Sequence, residues 1–284
     1  MKRSGTERVK LWHPPCHTEV ALMRAAYVRQ TFARHTHDDY AVGVIEQGGL
    51  GFRYRGENLV AAPGQICLVI PGETHDGHPA GDSGWTYRMF YLQPSLMHRA
   101  AGQLSGKAAD PPFFRPGVLS DNALAAMIVR THRLFEDPQA GLMEKQSRLI
   151  QLLCCFIARH ADPAPRMHGI GDEHQAVARA RDFMETHFAL DLSVVEMAAH
   201  AGLSPFHFIR VFKRHIGLSP HTYLIQVRVR RARQMLNRGS SIAQCALEAG
   251  FADQSHLTRH FKRVLGITPG QYRNSVQDRS ATRC

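Results

Sequence analysis

The sequence predicts a multidomain α+β chain: a small N-terminal β-barrel followed by helices, then an all-α domain of two similar units joined by a long helix. Three observations predict it. Short β-rich runs separated by glycine and proline fill residues 41 to 92. Helical periodicity takes over from Ser120 and is interrupted by a Pro/Gly-rich stretch. Finally, the segment "GLSPFHFIRVFKRHIGLSPHTY" (Gly202 to Tyr223) returns in similar form as "GFADQSHLTRHFKRVLGITPGQYR" (Gly250 to Arg273).

The strand candidates are "AVGVI" from Ala41, "GFRYRG" from Gly51, "QICLVI" from Gln65 and "TYRMFYL" from Thr86. Gly48-Gly49, Pro63-Gly64 and Pro71-Gly72 punctuate them. Strands this close, with no helix between them, fit a small barrel or sandwich. "SDNALAAMIVRTHRLFED" then reads as a helix with Ser120 as N-cap and Leu124, Met127, Ile128 and Leu134 at helical spacing. "LMEKQSRLIQLLCCFIARH" is a second helix, with Leu149, Leu152, Leu153, Phe156 and Ile157 on a broad apolar face. That face packs on the barrel, pairs two subunits, or does both. The expected layout is a barrel over 1–117, a helical dimerisation/packing segment over 118–160, a linker over 161–173, a helical domain over 174–277 and a tail over 278–284.

Charge is unevenly placed along the chain. The net charge is +11, and residues from Glu173 onward hold 16 Lys+Arg against 8 Asp+Glu, a net of +8. A basic C-terminal third points to an anionic partner or to a solvated basic face. No stretch approaches the roughly 18 apolar residues of a membrane span, and the N-terminus lacks the apolar core of a secretory signal. The six cysteines form no C-x-x-C pair, which fits a reduced, cytoplasmic protein. None sits in a recognisable nucleophile motif.

The repeat carries the functional reading. Ser193 matches Ser241, Ala198 matches Ala246 and Gly202 matches Gly250; Phe212, Lys213, Gly217, Pro220 and Tyr223 match Phe261, Lys262, Gly266, Pro269 and Tyr272. Each copy opens with a capping box, Ser193-x-x-Glu196 or Ser241-x-x-Gln244. Each first helix ends at a glycine able to take positive φ. Each second helix starts at a capping residue, Ser204 or Asp253, and carries basic side chains. Two short helices about a glycine turn, the second basic, describe a helix-turn-helix unit. A helix from Ser219-Pro220 to Gly239 joins the copies, with Tyr223, Leu224, Val227, Ala232, Met235 and Leu236 on its buried side. One chain with two such units can grip adjacent major grooves, which lie about 34 Å apart on one face of B-DNA.

These segments, together with G-F-x-D-x-S-H-x-x-R-x-F-K from Gly250, resemble the DNA-binding domain of the AraC/XylS family of bacterial transcription regulators over roughly residues 174 to 277. The resemblance implies seven helices, with one helix of each unit lying in the major groove. It implies base-facing residues Phe206, Ile209 and Arg210 in the first unit and Gln254, Ser255, His256 and Arg259 in the second. Arg210 and Arg259 suit bidentate bonds to guanine. Phe206 and Ile209 suit only thymine methyls or sugars. Lys213, Arg214, Lys262 and Arg263 read as phosphate contacts or as solvated surface.

"RHTHDDYAVGVIEQGGLGFRYRG" with "PGQICLVIPGETHDG" is similar to the cupin-like effector domain that members of this family carry, over about residues 30 to 95. That implies a barrel holding a small-molecule effector, helices that dimerise and, for an activator, RNA polymerase as a further partner. His35, His37, Tyr40, Phe52, Tyr54, His75, Trp85 and Phe90 are the expected effector-binding residues. His35 and His37 share one strand face, and His75 could join them at a metal. Metal-binding cupins, however, place a Glu four or five residues after such a pair, where this chain has Ala41 and Val42. The reading is therefore no metal and no cofactor, with the histidines lining or rimming an effector site. The chain is read as a sequence-specific DNA-binding transcription regulator and not an enzyme, acting on double-stranded DNA as a homodimer without membrane attachment. A metal-dependent enzyme and a nonspecific DNA binder are the rival readings.

Overall fold

The computed structural model describes residues 7–15, 17–107, 109–165 and 173–274. The linker expected at 161–173 lies largely, and the 278–284 tail wholly, outside them. Two compact units form, residues 1–137 with 148–169, and residues 138–147 with 170–284.

Among the described residues, the first unit contains ten strands in two antiparallel sheets. They are β1 (Arg8–Trp12), β2 (Val20–Tyr27), β3 (Phe32–His35), β4 (Tyr40–Gly48), β5 (Leu50–Tyr54), β6 (Glu57–Ala61), β7 (Ile66–Val69), β8 (His75–Pro79), β9 (Trp85–Leu92) and β10 (Val118–Leu119). One sheet runs β1-β2-β9-β4-β7-β10, the other β3-β8-β5-β6. The four strand candidates fall on β4, β5, β7 and β9. The others escape a reading by apolar pattern: β1 is almost wholly exposed, β3 and β6 are mostly so, and β8 reads "HDGHP".

Side-chain alternation splits β9 between two environments. Trp85, Tyr87 and Met89 enter the barrel interior with Tyr27, Ile45, Phe52, Tyr54 and Cys67. Phe90 and Leu92, of opposite parity, face the helices with Val42. Those helices are α2 (Asn122–Glu136) and α3 (Leu142–His160); α1 (Pro94–Ser105) precedes them. The N-cap of α2 is Asp121, not Ser120: the Asp121 carboxylate accepts the Leu124 N–H at 2.9 Å. Ser120 instead accepts a bond from Gln65 Nε2. On α3, Leu149, Leu152, Leu153, Phe156 and Ile157 are all buried, and Leu152, Leu153 and Phe156 meet Val42, Phe90 and Leu92. The broad apolar face thus covers the barrel, and its residues are not available for pairing subunits.

One cation is buried beneath α2. Arg88, on the helix-facing side of β9, is 4% exposed and pairs with Glu46 at 2.9 Å and with Glu136. Its Nη1 donates to His132 Nδ1, and His132 Nε2 donates to the Met23 carbonyl. Burial, with Arg88 beside it, pushes His132 down to about 4, so the ring is neutral.

The second unit contains α4 (His174–Thr186), α5 (Val194–Ala201), α6 (Pro205–Ile216), α7 (Pro220–Asn237), α8 (Ile242–Glu248), α9 (Gln254–Leu265) and a helical stretch, α10, at 269–274. Among the described residues these are seven helices, the number the resemblance implies. Caps set nearly every start. Ser193 and Glu196 form the full reciprocal box. Ser241 caps α8, but Gln244 reaches forward to Glu248 at 2.8 Å, so the second box is only half made. Thr268 and Gln271 make a reciprocal pair at the start of α10.

At about 1.5 Å per residue, the 18 residues of α7 span roughly 27 Å. Its Ile225, Val229, Ala232 and Leu236 pack with Cys245, Ala246, Phe251, Leu257 and Phe261 as the core of the second half. Arg228 is buried at 8% and donates to the Phe188 and Leu190 carbonyls, both at 2.7 Å. Burial lowers it to about 10, still cationic at neutral pH. It braces the α4–α5 connection against α7. Among the described residues no helix is long and apolar enough to cross a membrane.

Candidate nucleic-acid interface and ligand cavity

In the second unit, α5–α6 and α8–α9 are the two helix-turn-helix pairs. The first turns at Gly202, with φ 70°, and the second at Gly250, with φ 77°. Their second helices, α6 and α9, contain no acidic residue. Each carries three cations at matching positions: Arg210, Lys213 and Arg214, and Arg259, Lys262 and Arg263. Lys213, Arg214, Arg259, Lys262 and Arg263 are exposed, and Arg210 is half-buried. Lys213, Arg214, Lys262 and Arg263 lie in the last turns, where cations also complement the helix dipole. Gln254 and Ser255 are exposed in the first turn of α9. Asp253 caps that turn, accepting the His256 N–H at 2.7 Å.

Three residues expected to face bases are placed otherwise. Phe206 and Ile209 are 5% and 2% exposed, in a first turn of α6 that is buried all round from Phe206 to Ile209. Apolar side chains gain more from such packing than from water. His256, 5% exposed, packs edge-on against Phe251 and His260, and its Nδ1 accepts the Ala252 N–H. That bond satisfies a turn amide and holds the imidazole inside. Spacing alone does not reveal it, because helical position 256 is one step from the exposed Ser255. The α7 arginines also divide: Arg230 and Arg231 engage Glu185, while Arg233 and Arg238 are exposed.

In the first unit the barrel holds a partly open cavity of about 120 Å³. Of the residues expected to bind an effector, His35, His37, Phe52, His75 and Trp85 line it. Tyr54 belongs to the same core but does not line the cavity. Tyr40 and Phe90 sit on the opposite face of the sheet. Tyr40 donates to the Pro112 carbonyl at 2.8 Å and packs edge-on against Phe114. Phe90 meets His132 and Phe135. The two-residue strand period holds the reason: Trp85 and Phe90 are five apart and so point to opposite faces. Met23, Phe32, Leu50, Cys67, Tyr87, Met89 and Tyr91 line the cavity as well, and parity counted from Trp85 would have found Tyr87, Met89 and Tyr91.

The three histidines form a cluster. Ring centroids lie 4.3 Å apart for His35–His75, 4.8 Å for His37–His75 and 6.2 Å for His35–His37. Burial, together with neighbouring imidazoles, lowers the pKa of His37 and of His75. Among the described residues no group of three His, Cys, Asp or Glu side chains is arranged to hold a metal ion.

Residues 17–153 match a family described as an AraC-like ligand binding domain, and residues 197–275 match a helix-turn-helix domain. A Bacillus subtilis (strain 168) protein, YbfI, described as an uncharacterized HTH-type transcriptional regulator, is 28% identical over 85% of this chain and 86% of its own. The HTH-type transcriptional activator RhaS of Enterobacter sp. (strain 638) is 23% identical over 92% of each chain. A crystal structure of a transcriptional regulator with an AraC-type DNA-binding domain from Chromobacterium violaceum is 30% identical, covering 36% of this chain and 93% of that one, with a TM-score of 0.35.

Proposed function

Because the chain belongs to the AraC family of transcriptional regulators, with an N-terminal ligand-binding domain and a C-terminal helix-turn-helix DNA-binding domain, we propose that it reads a bipartite DNA site through α6 and α9. Ligand binding in the barrel shifts the populations of DNA-binding arrangements. The observation that carries this is the in-register repetition, on two acid-free helices, of the cations Arg210/Arg259, Lys213/Lys262 and Arg214/Arg263. Arg210, Arg259, Gln254 and Ser255 read base edges, and Lys213, Arg214, Lys262 and Arg263 hold phosphates. Since α9 offers more exposed polar groups than α6, the half-site under α9 is the more strongly specified. The barrel residues His35, His37, Phe52, His75 and Trp85 contact the effector. The regulator works in the cytoplasm, where its DNA is. Where it activates, RNA polymerase is its partner. Any homodimer forms through a surface other than the Leu149–Ile157 face.

Selection from a random double-stranded DNA pool with the full-length protein tests the reading. The expected result is two short enriched blocks about one helical turn apart. No enrichment, together with equal, steeply salt-dependent affinity for all sequences, would replace the proposal with a nonspecific binder.

A further inference from the structure

We infer that the effector is a small, uncharged aromatic molecule bearing a hydroxyl or amino hydrogen, held by the imidazole Nε2 atoms of His35, His37 and His75. This rests on the barrel being the regulator's ligand-binding domain.

The argument begins with tautomers. His35 Nδ1 lies 2.8 Å from the Ala33 carbonyl, His37 Nδ1 2.7 Å from that of Asp39, and His75 Nδ1 3.1 Å from that of Glu73. A carbonyl oxygen only accepts, so each Nδ1 carries the hydrogen. In the neutral ring the other nitrogen, Nε2, then presents a lone pair. The wall shared by the three rings is therefore an array of acceptors; the Asp76 carboxylate is engaged elsewhere, accepting the Arg53 N–H at 2.7 Å. Burial and their mutual proximity hold His37 and His75 towards the neutral form.

Among the described residues, no lysine or arginine lines the cavity. A carboxylate or phosphate placed there would face lone pairs with no cation to offset its desolvation. A ligand bringing donors matches the wall. Apart from the Tyr87 and Tyr91 hydroxyls, the rest of the lining is apolar or polarisable, with Met23, Phe32, Leu50, Phe52 and Met89. Flat rings suit thioethers and aromatic edges. Gly43 makes room for the Met89 side chain that lines the cavity: a Cβ there would lie 2.1 Å from Met89 Sδ. Trp85 adds a complementary group. It is 1% exposed and its indole N–H finds no acceptor among the described residues, so it can donate to a ring face or to the ligand's oxygen. The volume of about 120 Å³ is of the order of the roughly 150 Å³ engineered cavity that takes benzene. One substituted ring fills it.

Trp85 lines the cavity, so tryptophan emission of the full-length protein, with calorimetry, reads binding. The probes are phenol, aniline, toluene and benzoate at pH 7.5, and Zn²⁺ alone. Phenol and aniline are expected to bind at least about tenfold more tightly than toluene or benzoate, because a site built to hydrogen-bond a donor rejects analogues lacking it. His37→Leu with His75→Leu should bring the phenol-to-toluene ratio close to one while toluene still binds. His35→Leu, at the most exposed of the three rings, should lower the ratio in part and serves if the double variant does not fold. Benzoate binding as tightly as phenol would overturn the inference. So would a phenol-to-toluene ratio unchanged in the variants, or tight Zn²⁺ binding that the histidine substitutions abolish. Selection of a bipartite DNA site in the same preparation separates the two readings. If the DNA site emerges and phenol fails, only the ligand class falls.

Discussion

Alanine at Gly250 should cost far more than alanine at its counterpart Gly202, although the repeat makes the two glycines equivalent. Both have positive φ, 77° and 70°, so either substitution carries the left-handed strain of a residue with a Cβ, about 1–2 kcal/mol. Their surroundings differ. A Cβ on Gly202 meets only Arg179 Nη2, at 3.6 Å, an ordinary contact. A Cβ on Gly250 would sit 2.6 Å from the Ala189 carbonyl oxygen and 2.8 Å from its Cα. These are backbone atoms of the α4–α5 connection, which Arg228 already pins to α7. Moving them adds an overpacking cost of about 1–3 kcal/mol. Gly202→Ala is therefore expected to lose about 1–2 kcal/mol and Gly250→Ala about 2–5 kcal/mol. The chain's two tryptophans, Trp12 and Trp85, both lie in the first unit. Urea unfolding followed by circular dichroism at 222 nm weights the helical unit, while tryptophan emission tracks the barrel. The Gly250 variant should shift the first signal to lower urea and leave the second in place. Equal losses at the two glycines would refute the claim that the second turn is wedged against the first half.

Other outcomes are expected from the same geometry. Arg259→Ala and Arg210→Ala should each weaken binding to the selected DNA site by about 1–3 kcal/mol, whereas Lys262→Ala should weaken all sequences alike and reduce the salt slope by about one, read by titration at several salt concentrations. The folded-state pKa of His132, about 4, lies below its ordinary value of 6.5 because burial opposes charging. The unfolded chain therefore binds the extra proton first; the stability of the first unit is intact above about pH 6.5 and falls by roughly 3 kcal/mol as pH drops to about 4, and urea midpoints for Trp emission across that range measure it. Ser193→Ala should cost more than Ser241→Ala, about 1–2 against about 0.5–1 kcal/mol, because only Ser193 belongs to a reciprocal box; helical-unit unfolding ranks them. Tyr40→Phe should remove the bond to Pro112 at a cost of about 1 kcal/mol and leave ligand affinity in the barrel unchanged, since Tyr40 faces away from the cavity; calorimetry with phenol checks the second half.

The sequence by itself determined much of what depends on local chemistry, though the cap of α2 falls on Asp121 and not Ser120 and the Ser241 box is only half made. Capping residues, turn glycines and helical periodicity act within a few residues, so the helices and their starts were legible at Ser193, Ser204, Ser219 and Asp253. The repeat made the two helix-turn-helix units legible as a pair, and the G-F-x-D-x-S-H-x-x-R-x-F-K stretch made the family legible. Strands built from apolar runs were legible too. Tertiary structure decided what depends on partners distant in the chain. Strand β1 holds its place by pairing with β2, and β8 by pairing with β3 and β5, contacts that no local pattern encodes. Which face of β9 looks into the barrel is fixed by its register with β2 and β4; this put Tyr87 in the cavity and Phe90 under the helices. The inward turn of His256 and the closure around Phe206 and Ile209 depend on packing in three dimensions. So do the tautomers of His35, His37 and His75: each hydrogen is placed by a carbonyl only two residues away, yet the rings meet only because β3 and β8 pair. Composition and spacing name the residue types available to a site; which atoms finally face one another is set by register and packing, where free energy is shared among residues far apart in sequence.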